Sequence, residues 1–106
     1  MIVDERIYTL LGGKTKEYLA LYEEMGLEVQ TRILGNMLGY YFTEIGPLNQ
    51  IVHLWGYESF EDRIRRRAEL MQAPEWQEYV VLMRPLLHHQ ENKILIPAPF
   101  SPQTLK

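Results

Sequence analysis

The chain has no cysteine, which removes disulfides, thiol nucleophiles and thiolate metal ligands from any account of it. Long apolar runs are also missing. No charge-free apolar stretch approaches the ~20 residues needed to span a bilayer. Asp4, Glu5 and Arg6 interrupt the region where a secretory signal would carry its apolar core, so no such signal is expected. An excess of positive charge is absent as well. The formal charge of -3 argues against a general affinity for nucleic acid or anionic membrane. Histidine is sparse, with only His53, His88 and His89. In an extended segment His88 and His89 point to opposite sides, and no helical i, i+4 histidine pair exists, so no metal site is expected. P-loop, dinucleotide and nucleophile-elbow signatures are all lacking. These absences predict a cytoplasmic protein with no cofactor, no metal, no nucleic-acid partner and no membrane partner.

What is present suits one globular domain over residues 1–106, with 46% hydrophobic and 24% charged residues. Ile2–Leu11 reads as a strand, closed by Gly12-Gly13. Thr15–Leu34 reads as a helix, with Tyr18, Leu21, Tyr22, Met25, Val29 and Ile33 on one stripe, Thr15 as N-cap, and Gly26 as a point of kinking. Met37–Ile45 and Leu48–Tyr57 form a hairpin about Gly46-Pro47. A tight turn there pairs Phe42 with Ile51, Tyr40 with His53, and Leu38 with Trp55. Ser59–Ala73 is a helix, opened by a capping-box-like Ser59 and Asp62, with Phe60, Ile64, Ala68 and Met71 as its apolar stripe. Pro74 starts a further helix, and His88–Ile96, chiefly Glu91–Ile96, is the last strand. Prolines keep the tail over 97–106 irregular, with Phe100 as its candidate anchor.

The order β-α-β-β-α-β predicts an α+β, ferredoxin-like fold: a four-stranded antiparallel sheet with helices on one face. The hairpin is apolar on both faces. One carries Leu38, Tyr40, Phe42, Ile51, His53, Trp55 and Tyr57, and the other Met37, Tyr41, Thr43, Val52 and Leu54. Helices cover only one of these, so a second copy is expected to cover the other, giving a homodimeric α/β barrel.

The chain resembles the NIPSNAP family of the dimeric α/β-barrel superfamily. The matching residues are Glu5-Arg6-Ile7-Tyr8-Thr9, Gly13-Lys14 with Glu17-Tyr18, Gly39-Tyr40, Thr43–Gly46, and above all Leu48-Asn49-Gln50-Ile51-Val52-His53-Leu54-Trp55-Gly56-Tyr57. Asp62-Arg63, Arg66-Arg67-Ala68, Gln90–Leu95 and Pro99–Pro102 extend the likeness. Gly12-Gly13 departs from the Pro-Gly common before the lysine, a difference confined to a turn. The resemblance implies the fold and the dimer. Through distant superfamily members, which include cofactor-independent oxygenases, haem-degrading proteins and isomerases, it also implies a cleft between sheet and helices for a small organic ligand.

Within such a cleft His53 is the candidate acid or base, against the alternative of a core histidine bonded to tyrosine. Arg63 and Arg67 sit on adjacent turns with no acid three or four residues away. They call for Glu44, Glu5, Glu91, a partner-chain acid or an anionic ligand, either as a structural ion-pair network or as a binding site. Tyr8, Tyr40, Trp55 and Tyr57 are candidates for the apolar wall, or members of an aromatic core. Asn49 and Gln50 are read first as satisfying backbone groups of the hairpin, with contact to a ligand as the alternative. Three functions follow: a homodimeric binder of a small organic or anionic ligand, a cofactor-independent oxygenase or isomerase using His53, and an interaction module without ligand.

Overall fold

The computed structural model describes residues 1–103; the end of the expected tail, residues 104–106, lies outside them. Strand β1 (Ile2–Leu10) is followed by α1 (Thr15–Leu21), which runs through a π-helical turn (Tyr22–Gly26) into α2 (Leu27–Leu34). Next come β2 (Asn36–Phe42), β3 (Gln50–Tyr57), α3 (Phe60–Gln72), α4 (Pro74–Met83), a 3-10 turn (Arg84–Leu86) and β4 (Leu87–Leu95). All strand pairs are antiparallel, in the order β2-β3-β1-β4. This is the ferredoxin-like α+β arrangement expected from the element order. No helix among the described residues is long and apolar enough to cross a membrane.

The long first helix forms over its predicted span, with its irregularity at Gly26. A Cβ there would stand 2.9 Å from the Tyr22 ring and 3.2 Å from the Tyr79 ring, so only glycine lets the π-helical turn pass this close to α4. Thr15 is the first helical residue rather than the cap; Lys14 holds the cap position without a side-chain bond. At α3 the Ser59 hydroxyl accepts from the Asp62 amide at 3.1 Å, and the Asp62 carboxylate accepts from the Glu58 amide at 3.1 Å. That is a capping box with its return bond moved one residue back, from the Ser59 amide to that of Glu58.

The hairpin corrects two expectations. Its turn is a loop over 43–49 that leaves Ile45 and Leu48 exposed, yet Phe42 still pairs with Ile51 and Tyr40 with His53. Further along, a bulge between Met37 and Gly39 puts Met37, and not Leu38, opposite Trp55. One extra residue reverses the side-chain alternation. Met37 therefore packs against the core, while Leu38 joins Val3, Tyr41 and Leu54 around a hollow on the opposite face.

The sheet face under the helices carries Ile2, Asp4, Tyr8 and Leu10 of β1 and Ile51, His53, Trp55 and Tyr57 of β3, all buried. Val52, Leu54 and Tyr41 lie on the other face, away from the helices, with Tyr41 57% exposed. Helix α3 also departs from its predicted orientation. Phe60, Ile64 and Met71 of the expected buried stripe are exposed, as is Ala68. The side turned inward bears Leu70 together with Arg63, Arg66 and Arg67. The reason is Asp4, a fully buried carboxylate on β1 that must be paired and does so with Arg63. Strand β4 starts at Leu87, earlier than expected, because Leu10 pairs with it past a bulge. Phe100 is exposed and does not anchor the tail.

Candidate functional site

Register places three rows of side chains across the covered sheet face. Trp55 of β3, Asp4 of β1 and Ile94 of β4 form one; His53, Arg6 and Asn92 the next; Ile51, Tyr8 and Gln90 the third. Alternation on β1 thus sets Asp4, Arg6 and Tyr8 on a single face, beneath α3 and α4. Asp4 is the electrostatic centre. Arg63 Nε donates to its Oδ2 at 3.0 Å, Arg6 Nη1 to the same oxygen at 3.3 Å, and Asn92 Nδ2 to Oδ1 at 3.0 Å. Burial alone would raise this carboxyl. The Asn92 hydrogen bond and the Arg6 and Arg63 charges outweigh it and hold the group below the usual aspartate range. The acid that meets Arg63 is therefore Asp4, and not Glu5, Glu44 or Glu91.

Arg67 is different. It is half-buried, and among the described residues it has neither an ion pair nor a hydrogen bond. Burial first, then the Arg6 and Arg63 cations, press it below the ordinary arginine value. A guanidinium stays charged regardless, so an anion beside it would relieve the stress. Arg67 lines a cleft of about 180 Å³ between sheet and helices, shared with Arg6, Tyr8, Gln30, Trp76 and Met83. Arg84, Gln90 and Met71 also border it. Gln30 is buried, and its carbonyl accepts from the Tyr22 hydroxyl at 2.6 Å, which leaves its amide nitrogen for another partner. Larger hollows exist, but their chemistry differs. The one beside Met1 and Asn36 contains Arg66, whose donors already go to Asp62 and the Ile33 carbonyl.

His53 lies outside the lining of this cleft. It is 1% exposed, stacks on Tyr40 at 4.6 Å and meets Tyr8 edge-on at 4.8 Å. Trp55 Nε1 donates to its Nδ1 at 2.7 Å, which requires the proton on Nε2. That Nε2 has no partner among the described residues. Burial, followed by the Arg6 charge, lowers its pKa to about 3, so the imidazole is neutral near pH 7.

Of the seven residues singled out from sequence, the structure brings Tyr8 and Arg67 to the cleft. Arg63 stays outside it, paired with Asp4, which in turn pairs with the cleft residue Arg6. Tyr40 bonds the Tyr18 hydroxyl at 2.6 Å and borders a separate hollow. Trp55 is in the core, and Tyr57 borders the hollow beside Met1. Asn49 serves a backbone group outside the hairpin, its side-chain oxygen accepting from the Gly13 amide at 3.1 Å, whereas Gln50 Nε2 donates to a side chain, the Thr9 hydroxyl, at 3.3 Å. Sequence reasoning missed Arg6, Gln30 and Trp76. Arg6 carried a usable signal, since it is spaced two from Asp4 and two from Tyr8 on a strand. No cluster of three or more His, Asp or Glu suited to a metal occurs among the described residues.

These features define a ferredoxin-like α+β protein with a cationic cleft between sheet and helices. An antibiotic biosynthesis monooxygenase has the same fold, at 14% identity and a TM-score of 0.66 over 93% of this chain and all of that one. More specifically, the chain belongs to the NIPSNAP family, whose sequence profile matches residues 3–102. A NIPSNAP family protein from Agrobacterium tumefaciens is 48% identical with a TM-score of 0.93, covering 95% of this chain and 96% of that one. An uncharacterized NIPSNAP-like domain protein from Burkholderia xenovorans is 54% identical with the same score, covering 95% and 88%. The NipSnap homolog of Dictyostelium discoideum is 47% identical over 60 residues, 57% of this chain. That match spans 27% of the Dictyostelium protein, so the chain corresponds to about a quarter of that relative's length.

Proposed function

We propose that this chain is a homodimer whose protomers each bind a small organic anion in the cleft between sheet and helices. One observation carries the ligand: Arg67, a half-buried guanidinium pressed by two neighbouring cations, has no acid of its own among the described residues. A bound anion relieves that cost, and Arg6 and Gln30 stand in the same cleft to share it. Proton transfer by His53 draws no support from a neutral, buried imidazole outside the lining. The test is thermal unfolding in the presence of small carboxylates and phosphates. A ligand at a hundredfold excess over its Kd raises the midpoint by about 10 °C. Arg67→Ala, folded by circular dichroism, loses the rise; an equal rise in that variant places the anion elsewhere.

The dimer rests on the uncovered sheet face, where Val52, Leu54 and Tyr41 form an apolar surface that no helix among the described residues covers. Light scattering at micromolar concentration is expected to give twice the chain mass, and Leu54→Arg to give the single mass. A wild-type monomer at that concentration contradicts the proposal.

A further inference from the structure

We infer that the anion is a single-ring aromatic carboxylate, a ligand of the benzoate class; this rests on the anion-binding reading above and narrows it. The cleft is divided chemically. Strand β1 and helices α2 and α3 bring Arg6, Gln30 with its free amide nitrogen, and Arg67, whereas α4 brings only the apolar-bodied Trp76, Val80 and Met83. A purely inorganic anion leaves the second group wet, and an uncharged hydrocarbon leaves Arg67 unpaired. The ligand is therefore amphipathic, with its charge at one end.

Charge count favours one carboxylate. Asp4 already serves Arg6 and Arg63 together, and Asn92 occupies its other oxygen. The cation without any share of an acid is Arg67 alone among the cleft's buried or half-buried arginines; Arg84 is exposed at the rim. A planar guanidinium fork takes a carboxylate through two parallel bonds. Size sets the rest. A dry cavity of about 150 Å³ accepts one benzene ring, and this cleft measures about 180 Å³. One ring and its carboxylate match that space, whereas a second fused ring would extend out of it toward solvent. Aromatic surfaces at Tyr8 and Trp76 favour a flat ring over a saturated one.

The experiment is calorimetric titration of the full chain with benzoate, cyclohexanecarboxylate, 2-naphthoate, phenyl phosphate and acetate. Benzoate is expected to bind saturably, and the other four more weakly. Arg67→Ala and Arg67→Lys, each folded by circular dichroism, are expected to lose about tenfold or more for benzoate, since a charge-assisted fork is removed in both. If 2-naphthoate, cyclohexanecarboxylate, acetate or phenyl phosphate binds tighter than benzoate and still depends on Arg67, the single-ring carboxylate is overturned while anion binding in the cleft stands. If no probe binds, or every bound probe is indifferent to Arg67→Ala, both readings are overturned.

Discussion

Asp4→Ala is expected to cost about 3–5 kcal/mol of folding stability, the range for removing one partner of a buried ion pair. Asp4 is wholly buried on β1, and the substitution strands Arg63 and Arg6, at 3.0 and 3.3 Å, together with the Asn92 amide. Three donors lose their acceptor while Arg6, Arg63 and Arg67 keep their mutual repulsion. A domain of this size has about 5–15 kcal/mol in total, so the variant sits near its unfolding transition. Urea unfolding followed by circular dichroism measures the effect. Asp4→Asn keeps an acceptor for Asn92 without the charge and should fall between. Asp4→Leu combined with Arg63→Met should recover part of the loss, because an apolar pair demands no desolvation of charge. A cost under about 1 kcal/mol for Asp4→Ala would mean that the pair behaves as a solvated surface contact.

The same ion pair explains what could be read from the sequence and what could not. Element order and most of the hairpin register were legible, because alternation of Tyr40, Phe42, Ile51 and His53 admits one pairing that sets all four on the same sheet face. The bulge at Leu38 was not, since Met37 and Leu38 are both apolar and either could face the core. Rotation of α3 was hidden for a stronger reason. Periodicity favours Phe60, Ile64 and Met71 as the buried stripe, but the deciding contact is to an acid 59 residues away in sequence. A helix that turns Phe60, Ile64 and Met71 outward and Arg63, Arg66 and Arg67 inward contradicts amphipathic patterning; beside the burial of Leu70, the pairing of Arg63 with buried Asp4 supports it. For the cleft, unpaired arginine was the readable signal and gave Arg67. Trp76 and Gln30 lie on helix positions that read equally well as core, and their meeting with Arg6 depends on how α2 and α4 cross the sheet.

Lowering the pH from 7.5 to 4.5 is expected to remove about 2–3 kcal/mol of stability through His53 alone. The sign follows from its depressed pKa of about 3 against 6.5 for the free side chain. As pH falls below 6.5 the unfolded chain takes up a proton on this imidazole and the folded chain does not, so protons favour the unfolded state until about pH 3 is reached. Asp4 acts in a lower window. Its carboxyl is depressed, so the stability it supplies is complete above 3.8 and declines as pH drops below that value through the folded one. Above 3.8 the slope therefore belongs to His53, and below it the two contributions overlap. Urea midpoints measured at half-unit steps should slope by about 1.4 kcal/mol per unit below pH 6. In His53→Asn, which can still accept the Trp55 indole hydrogen, the slope between pH 6 and 4 should disappear while the Asp4 window remains. The charges facing His53 are Arg6 and Arg67, which lower its pKa, and Asp4, which raises it. An anion seated against Arg67 adds negative charge to the same surroundings, moves the folded pKa upward and flattens the acid slope. A wild-type profile that is level from pH 7.5 to 4.5 would show that the folded imidazole takes up its proton as readily as the unfolded one, which its burial beneath Tyr8 and Tyr40 does not allow.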